Sequence, residues 1–333
     1  MKTRVGIGIC LTLALVATAN LFPGRAQEAG SQRRQQPPAV APPVNPLQVA
    51  LLKWYRANTT ARFAVGQQPV GVAFDGANIW TANFGDFPGT VTKLRASDGE
   101  ALGTFKVGTE PGGVTYDGAN IWVSNTADGT VSKLRASDGK NLGTFSVRPA
   151  PWWMAFDGAN IWVTTAPTSG NGSVTKLRAR DGKILGTFTV GSGPIAAAFD
   201  GVNVWVTNGG GTVSKLRASD GKVLGTFAVG SRPTGIAFDG ANVWVANRGG
   251  STVSKLRASD GKNLGTFAVP NLPYGVAFDG ANIWVTTGEG VTELRLGDGI
   301  TLGHVNGSGS VGVAFDGANI WVADFNDGVV GKL

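Results

Sequence analysis

Cysteine is almost missing from this 333-residue chain; its one copy, Cys10, lies within the first thirty residues. A disulfide framework is therefore excluded for the remainder, and stability must come from a hydrophobic core, which a chain of this length can build. Histidine is equally scarce. The single His304 rules out any Ser-His-Asp arrangement that would need a histidine elsewhere. Helix-favouring Glu, Met and Gln are sparse beyond the N-terminal region. No apolar 3.6-residue periodicity runs through the chain, which argues against helical repeats. Charge is modest at +7, enough to permit an acidic partner without implying one.

The N-terminal region stands apart. Lys2 and Arg4 precede an apolar or small run from Val5 to Ala19, and Ala17-Thr18-Ala19 offers a small-x-small cleavage site, with Ala26 as a later alternative. Residues 1–26 read as a secretory signal peptide, too short to favour a spanning helix. Residues 27–49 are polar and proline-rich, a composition that cannot bury a core and suits a tether. The expected location is periplasmic or extracellular, and a monomer is expected.

From residue 50 to 333 the chain repeats itself. Phe74-Asp75-Gly76-Ala77-Asn78-Ile79-Trp80 recurs with small changes from Tyr116, Phe156, Phe199, Phe238, Phe278 and Phe315. Each unit contains four short β-rich runs separated by turns, at a spacing of about 37 to 43 residues, the pattern of a propeller blade. Asp-Gly supplies the positive φ that a tight turn needs. In Thr90–Arg95, Val91 and Leu94 point to opposite faces of a strand, so both faces must be covered, as in a blade held between two others. Lys93 and Arg95 are expected to lay their stems on a neighbour and keep their charges in water. The last unit stops after its third strand, at Leu333, and the run ending Phe63-Ala64-Val65 matches a fourth strand. The fold is therefore all-β: a seven-bladed β-propeller of four-stranded blades, closed by an N-terminal strand that completes the C-terminal blade. Leu51–Tyr55 is expected beside that seam.

The units resemble the YVTN-type β-propeller repeat, most clearly in Ile161-Trp162-Val163-Thr164, Val204–Asn208 and Gly230-Ser231-Arg232-Pro233-Thr234-Gly235. They are more distantly similar to streptogramin (virginiamycin B) lyases and NHL propellers; the Gly-His and Trp-Asp dipeptides of WD40 repeats are absent. The YVTN resemblance brings nucleic acid into view as a partner, and Lys93, Lys133, Lys176, Lys215 and Lys255 form a basic ladder. Each step is followed by an Asp in the next turn, which offsets the field. The lyase resemblance implies a catalytic His with Glu and Mg²⁺, but no mouth-face position holds that His.

The repeat is its own control. The seven strand-two tryptophans and the turn aspartates recur in every unit and so serve construction, as packing between blades and as turn formers. Residues that break the pattern are the candidates for function. They lie in the second-to-third loops and the connections between blades, the face expected to do the work. After each connection's proline comes a residue at the mouth of the innermost strand; Trp152 and Tyr274 are the large ones. The following position is Gly or Ala except at Trp153, which either walls the channel or plugs it. Arg148, Arg232, Arg248, Asn83, Phe84 and Phe325 complete the expected ligand-binding set. Asp86, Glu289 and Asp324 form an acidic arc able to hold a divalent cation through oxygen ligands; no other cofactor is read. The leading expectation is a non-enzymatic propeller binding a small ligand or a protein. The alternative is a metal-assisted lyase or hydrolase, or a DNA-binding propeller.

Overall fold

The computed structural model describes residues 61–166 and 171–333. The expected signal peptide, tether and Leu51–Tyr55 lie outside the described residues. Among the described residues twenty-eight strands form seven four-stranded antiparallel sheets. Each sheet follows the chain from the innermost strand outward, as in Pro69–Phe74, Asn78–Asn83, Thr90–Arg95 and Ala101–Lys106 of blade 1. In the seventh, Ser310–Phe315, Ile320–Asp324 and Val329–Lys332 are completed by Ala61–Ala64, with Phe63 opposite Val330. Innermost strands touch their neighbours all the way round, including blade 7 against blade 1, so the ring is closed. Among the described residues no helix is long and apolar enough to cross a membrane.

The repeated heptapeptide builds this ring through one side chain. Asp75 Oδ1 accepts from the backbone N–H groups of Ala77 (2.9 Å) and Asn78 (2.7 Å), holding a turn in which Gly76 has φ 97°. Its Oδ2 accepts from Trp80 Nε1 at 2.7 Å, and every blade repeats the bond, at Trp122, Trp162, Trp205, Trp244, Trp284 and Trp321. The turn carboxylate thus satisfies the one polar atom of a buried indole. Burial pushes the carboxyls of Asp157, Asp200, Asp239 and Asp316 up, but the indole, Asn and backbone donors outweigh it and hold them below the usual range.

Seven apolar clusters lie one at each blade junction. Val91 faces blade 2 and Leu94 faces blade 7, both fully buried. The third-strand lysines do not behave as expected. Lys93, Lys133, Lys176, Lys215 and Lys255 are nearly buried. Their ammonium groups lie 4.8–5.1 Å from their own blade's indole centroid. Each also donates to a carbonyl of the next blade's turn at 2.6–2.7 Å. Lys332 does the same from blade 7 to Ala96 of blade 1, at 2.8 Å. Carbonyl oxygens and an aromatic face replace water around each ammonium, so the ladder is a set of interblade latches and not a cationic surface.

The junction of blades 6 and 7 departs from this scheme. Glu293 stands where the lysine would be, Val305 replaces the outer-strand Phe that packs on Trp elsewhere, and Trp284 is only partly buried. Strands three and four of blade 7 come from opposite ends of the described chain, so no turn joins them to accept a lysine.

Candidate functional site

The second-to-third loops and the interblade connections meet at one end of the channel. There the innermost strands of six blades carry a bulge just after their first residue, as between Pro69 and Val72 or Pro151 and Met154, and that of blade 6 is shortened to Val276–Phe278. The residue before that proline has positive φ in five blades: Gln68, Glu110, Ala150, Arg232 and Leu272, at 50–56°. Gly193 and Gly309 hold the same place in blades 4 and 7. Non-glycine residues in this region are strained, so the ring of connections stores strain around the mouth.

Blade-to-blade approach is close here. A Cβ on Gly113 would meet the carbonyl oxygen of Trp152 at 2.6 Å and Trp153 Cα at 2.9 Å, so this position tolerates only glycine at its present spacing. Hydroxyls from strand two pin the same backbone. Ser124 Oγ donates to the Trp152 carbonyl, and Thr164 Oγ1 lies 2.9 Å from that of Trp153. The Tyr274 carbonyl accepts from Thr234 Oγ1 (3.0 Å) and Gly235 N–H (2.7 Å). The main chain beneath all three aromatic residues is thereby fixed.

Their rings meet across the channel. Phe84 of blade 1 lies nearly parallel to Trp152 of blade 3 (9°, centroids 6.5 Å), which is nearly parallel to Trp153 (9°, 6.2 Å). Trp153 reaches Tyr274 of blade 6, on the other side of the ring, at 5.5 Å and 52°. Arg248 of blade 5 places its guanidinium 5.7 Å from the Tyr274 ring centroid. Above this layer is a cavity of about 390 Å³ whose walls include Phe84, Trp152, Arg248, Leu272, Tyr274 and Phe325. Below it is a smaller one of about 140 Å³, lined by Trp153, Tyr274 and the middle of the innermost strands. Trp153 and Tyr274 therefore partition the channel. Trp153 also packs against the core between blades 4 and 5, so wall and plug are one arrangement. Burial pushes the Tyr274 hydroxyl pKa up, against the opposing charge of Arg248, and no hydrogen bond from the described residues enters that balance. It remains a neutral donor next to the cavity.

Of the residues singled out in the sequence, Phe84, Trp152, Arg248, Tyr274 and Phe325 converge on the upper cavity, with Trp153 under it. Three do not. Asn83 is fully buried; its Nδ2 donates to Thr90 and Thr92 hydroxyls at 2.8 and 2.9 Å, tying strand two to strand three. Asn125, Asn208 and Asn247 make the same bonds, so Asn83 belongs to the construction set. Arg148 and Arg232 are exposed and are not part of the cavity wall. Val70 and Val311, which the sequence places at the mouth after the connection, join it, and so do Ser310 and Leu272, which the repeat did not single out. Leu272 had a legible signal: it is an isoleucine-sized apolar side chain in a connection that carries Gln68, Glu110 or Arg232 in other blades.

The acidic arc does not assemble. Asp86 accepts from the Gln67 N–H (2.8 Å) and from the Thr90 hydroxyl; Glu289 accepts from Asn271 Nδ2 (3.2 Å). Asp324 pairs with Arg62 (3.1 Å), which also pairs with Asp327. Among the described residues no three of His, Cys, Asp and Glu come together as a metal-binding group. His304 is exposed on the outermost strand of blade 6, bonded to Thr292 Oγ1 at 2.9 Å.

The fold and this mouth define a closed β-propeller repeat protein with an aromatic partition in its channel. Residues 170–324 match the family described as outer membrane protein assembly factor BamB. Among solved structures the chain is similar to Kuenenia stuttgartiensis hydrazine synthase. The TM-score is 0.61 at 16% identity, over 69% of this chain and 84% of that one, a likeness of fold alone. No curated protein matches the chain.

Proposed function

We propose that this protein is an exported, non-enzymatic propeller that binds a ligand at the channel mouth on its variable-loop face. The observation that supports this is convergence. Residues that break the repeat in blades 1, 3, 5, 6 and 7 are far apart in sequence, yet they line one concave apolar cavity with a few polar groups. Export rests on the signal-peptide pattern of residues 1–26, and the YVTN-type resemblance of the repeats belongs to the same reading. Alanine at Trp152, Trp153 and Tyr274 is expected to abolish binding at the mouth while leaving the thermal transition cooperative. Full binding by the folded triple variant would place the site elsewhere. A second reading, protein docking in envelope assembly, is supported by the match of residues 170–324 to a family described as an assembly factor. It would use the outer loops and not the cavity floor, so partner binding should survive Trp153→Ala. A metal-assisted lyase or hydrolase requires EDTA-sensitive turnover from the purified protein.

A further inference from the structure

We infer that the ligand of the mouth cavity is a flat aromatic anion, its ring lying against the aromatic walls and its negative group on Arg248. This rests on the mouth being a binding site, and it names the chemistry that site selects.

Shape gives the first half. Phe84 and Trp152, both in the cavity wall, lie 9° from parallel, and Trp153 continues the series beneath them, so the wall presents two aromatic rings in one orientation. A planar ring extends such a series by offset stacking, worth about 0.5–1.5 kcal/mol per pair beyond burial, which a saturated ring of equal area does not gain. The volume of about 390 Å³ lies in the range of small-molecule sites.

Charge gives the second half. Among the described residues Arg248 is the only charged side chain in the cavity wall. The strand-three arginines Arg95, Arg135, Arg178, Arg217, Arg257 and Arg295 each pair with the Asp three residues on. Among the described residues no carboxylate pairs with Arg248, which rests on the Tyr274 face with its donors unspent. Nearby acids are turned to other partners: Asp86 to Thr90, Glu289 to Asn271, Asp324 to Arg62. Among the described residues the cavity therefore has one cation, a tyrosine hydroxyl donor on Tyr274 and no lining anion, a balance that favours carboxylate, sulfonate or phosphate over a neutral or cationic group.

The test uses 1-naphthoate, neutral 1-naphthamide and saturated decahydronaphthalene-1-carboxylate, titrated against full-length protein by calorimetry and by tryptophan emission. Naphthoate is expected to bind about tenfold or more tighter than either comparator. Arg248→Gln, a change to an exposed side chain, should erase the preference for naphthoate over naphthamide. Equal affinity for those two, or a preference that survives Arg248→Gln, overturns the charge requirement while leaving the mouth a binding site. Decahydronaphthalene-1-carboxylate binding as tightly as naphthoate overturns the aromatic requirement. Failure of all three to bind refutes the small-ligand site itself, and the inference falls with it.

Discussion

Thr81 should be replaceable by valine with a gain in stability. It sits in the fourth register position of strand two, fully buried, and its hydroxyl has no hydrogen-bond partner. The six other blades carry Val123, Val163, Val206, Val245, Val285 and Val322 there, in the same backbone and the same kind of junction. An unsatisfied buried hydroxyl costs about 1–3 kcal/mol, and valine has nearly the same shape. Thr81→Val is therefore expected to stabilise by roughly 1–2 kcal/mol, seen as a rise in the denaturant midpoint at constant slope. For a domain of this size the melting temperature should rise by roughly 2–4 °C. Val163→Thr, the reverse change in blade 3, should cost a similar amount. A neutral or destabilising Thr81→Val would mean that the hydroxyl is satisfied, by a trapped water for instance, and the reasoning would fail.

The latch lysines give a prediction of opposite sign. Lys133→Met removes the donor to the Ala179 and Arg180 carbonyls and uncovers the Trp122 face, so it should cost about 2–4 kcal/mol. The same variant should leave any nucleic-acid affinity and its salt slope unchanged; a slope smaller by about one would return the ladder to the surface. Glu293 has its pKa raised, first by burial and then by Asp279. A carboxyl whose folded pKa exceeds its unfolded value of about 4.3 favours folding below that pH, and the contribution is lost as pH rises through the folded pKa. The melting-temperature gain of Glu293→Gln over the parent should therefore grow between pH 4 and pH 7; a gain flat with pH would contradict it. Leu272→Gly should relieve the strain at φ 56°, raising stability by up to about 1 kcal/mol, while removing part of the cavity wall and weakening naphthoate binding. Tighter binding by that variant would show that Leu272 obstructs the mouth.

Fold was legible because a repeat states its architecture several times over. The Asp-Gly turn, the Trp five residues after that Asp and the two-faced third strand each recur, and one local solution applied seven times leaves only the closure to infer. Closure was legible too, since Ala61–Ala64 continues the fourth-strand pattern that blade 7 lacks. The recurring strand-two tryptophans do pack at the blade junctions. Asn83 falls with construction instead, since Asn125, Asn208 and Asn247 recur at its position and make the same bonds. Side-chain polarity misled for the lysines. A lysine alternating with apolar residues looks like a snorkelling stem, and the carbonyls that capture it belong to a turn 40 or more residues further on.

What the amino-acid pattern determined by itself, then, was the ring: period, strand number, junction chemistry and the short set of residues exempt from it. Only the tertiary structure decided which exempt residues line one cavity. Phe84, Trp152, Arg248, Tyr274 and Phe325 come from five blades, and their meeting depends on the ring's diameter and on bulges that turn the innermost strands at the mouth. Trp153 shows why. Its sequence position announces bulk at the channel, but whether that bulk walls or seals it depends on what stands opposite. Tyr274, three blades away, closes the gap at 5.5 Å. Local pattern specifies a blade because its forces act between neighbours in sequence; a site at the axis is set by all seven blades together.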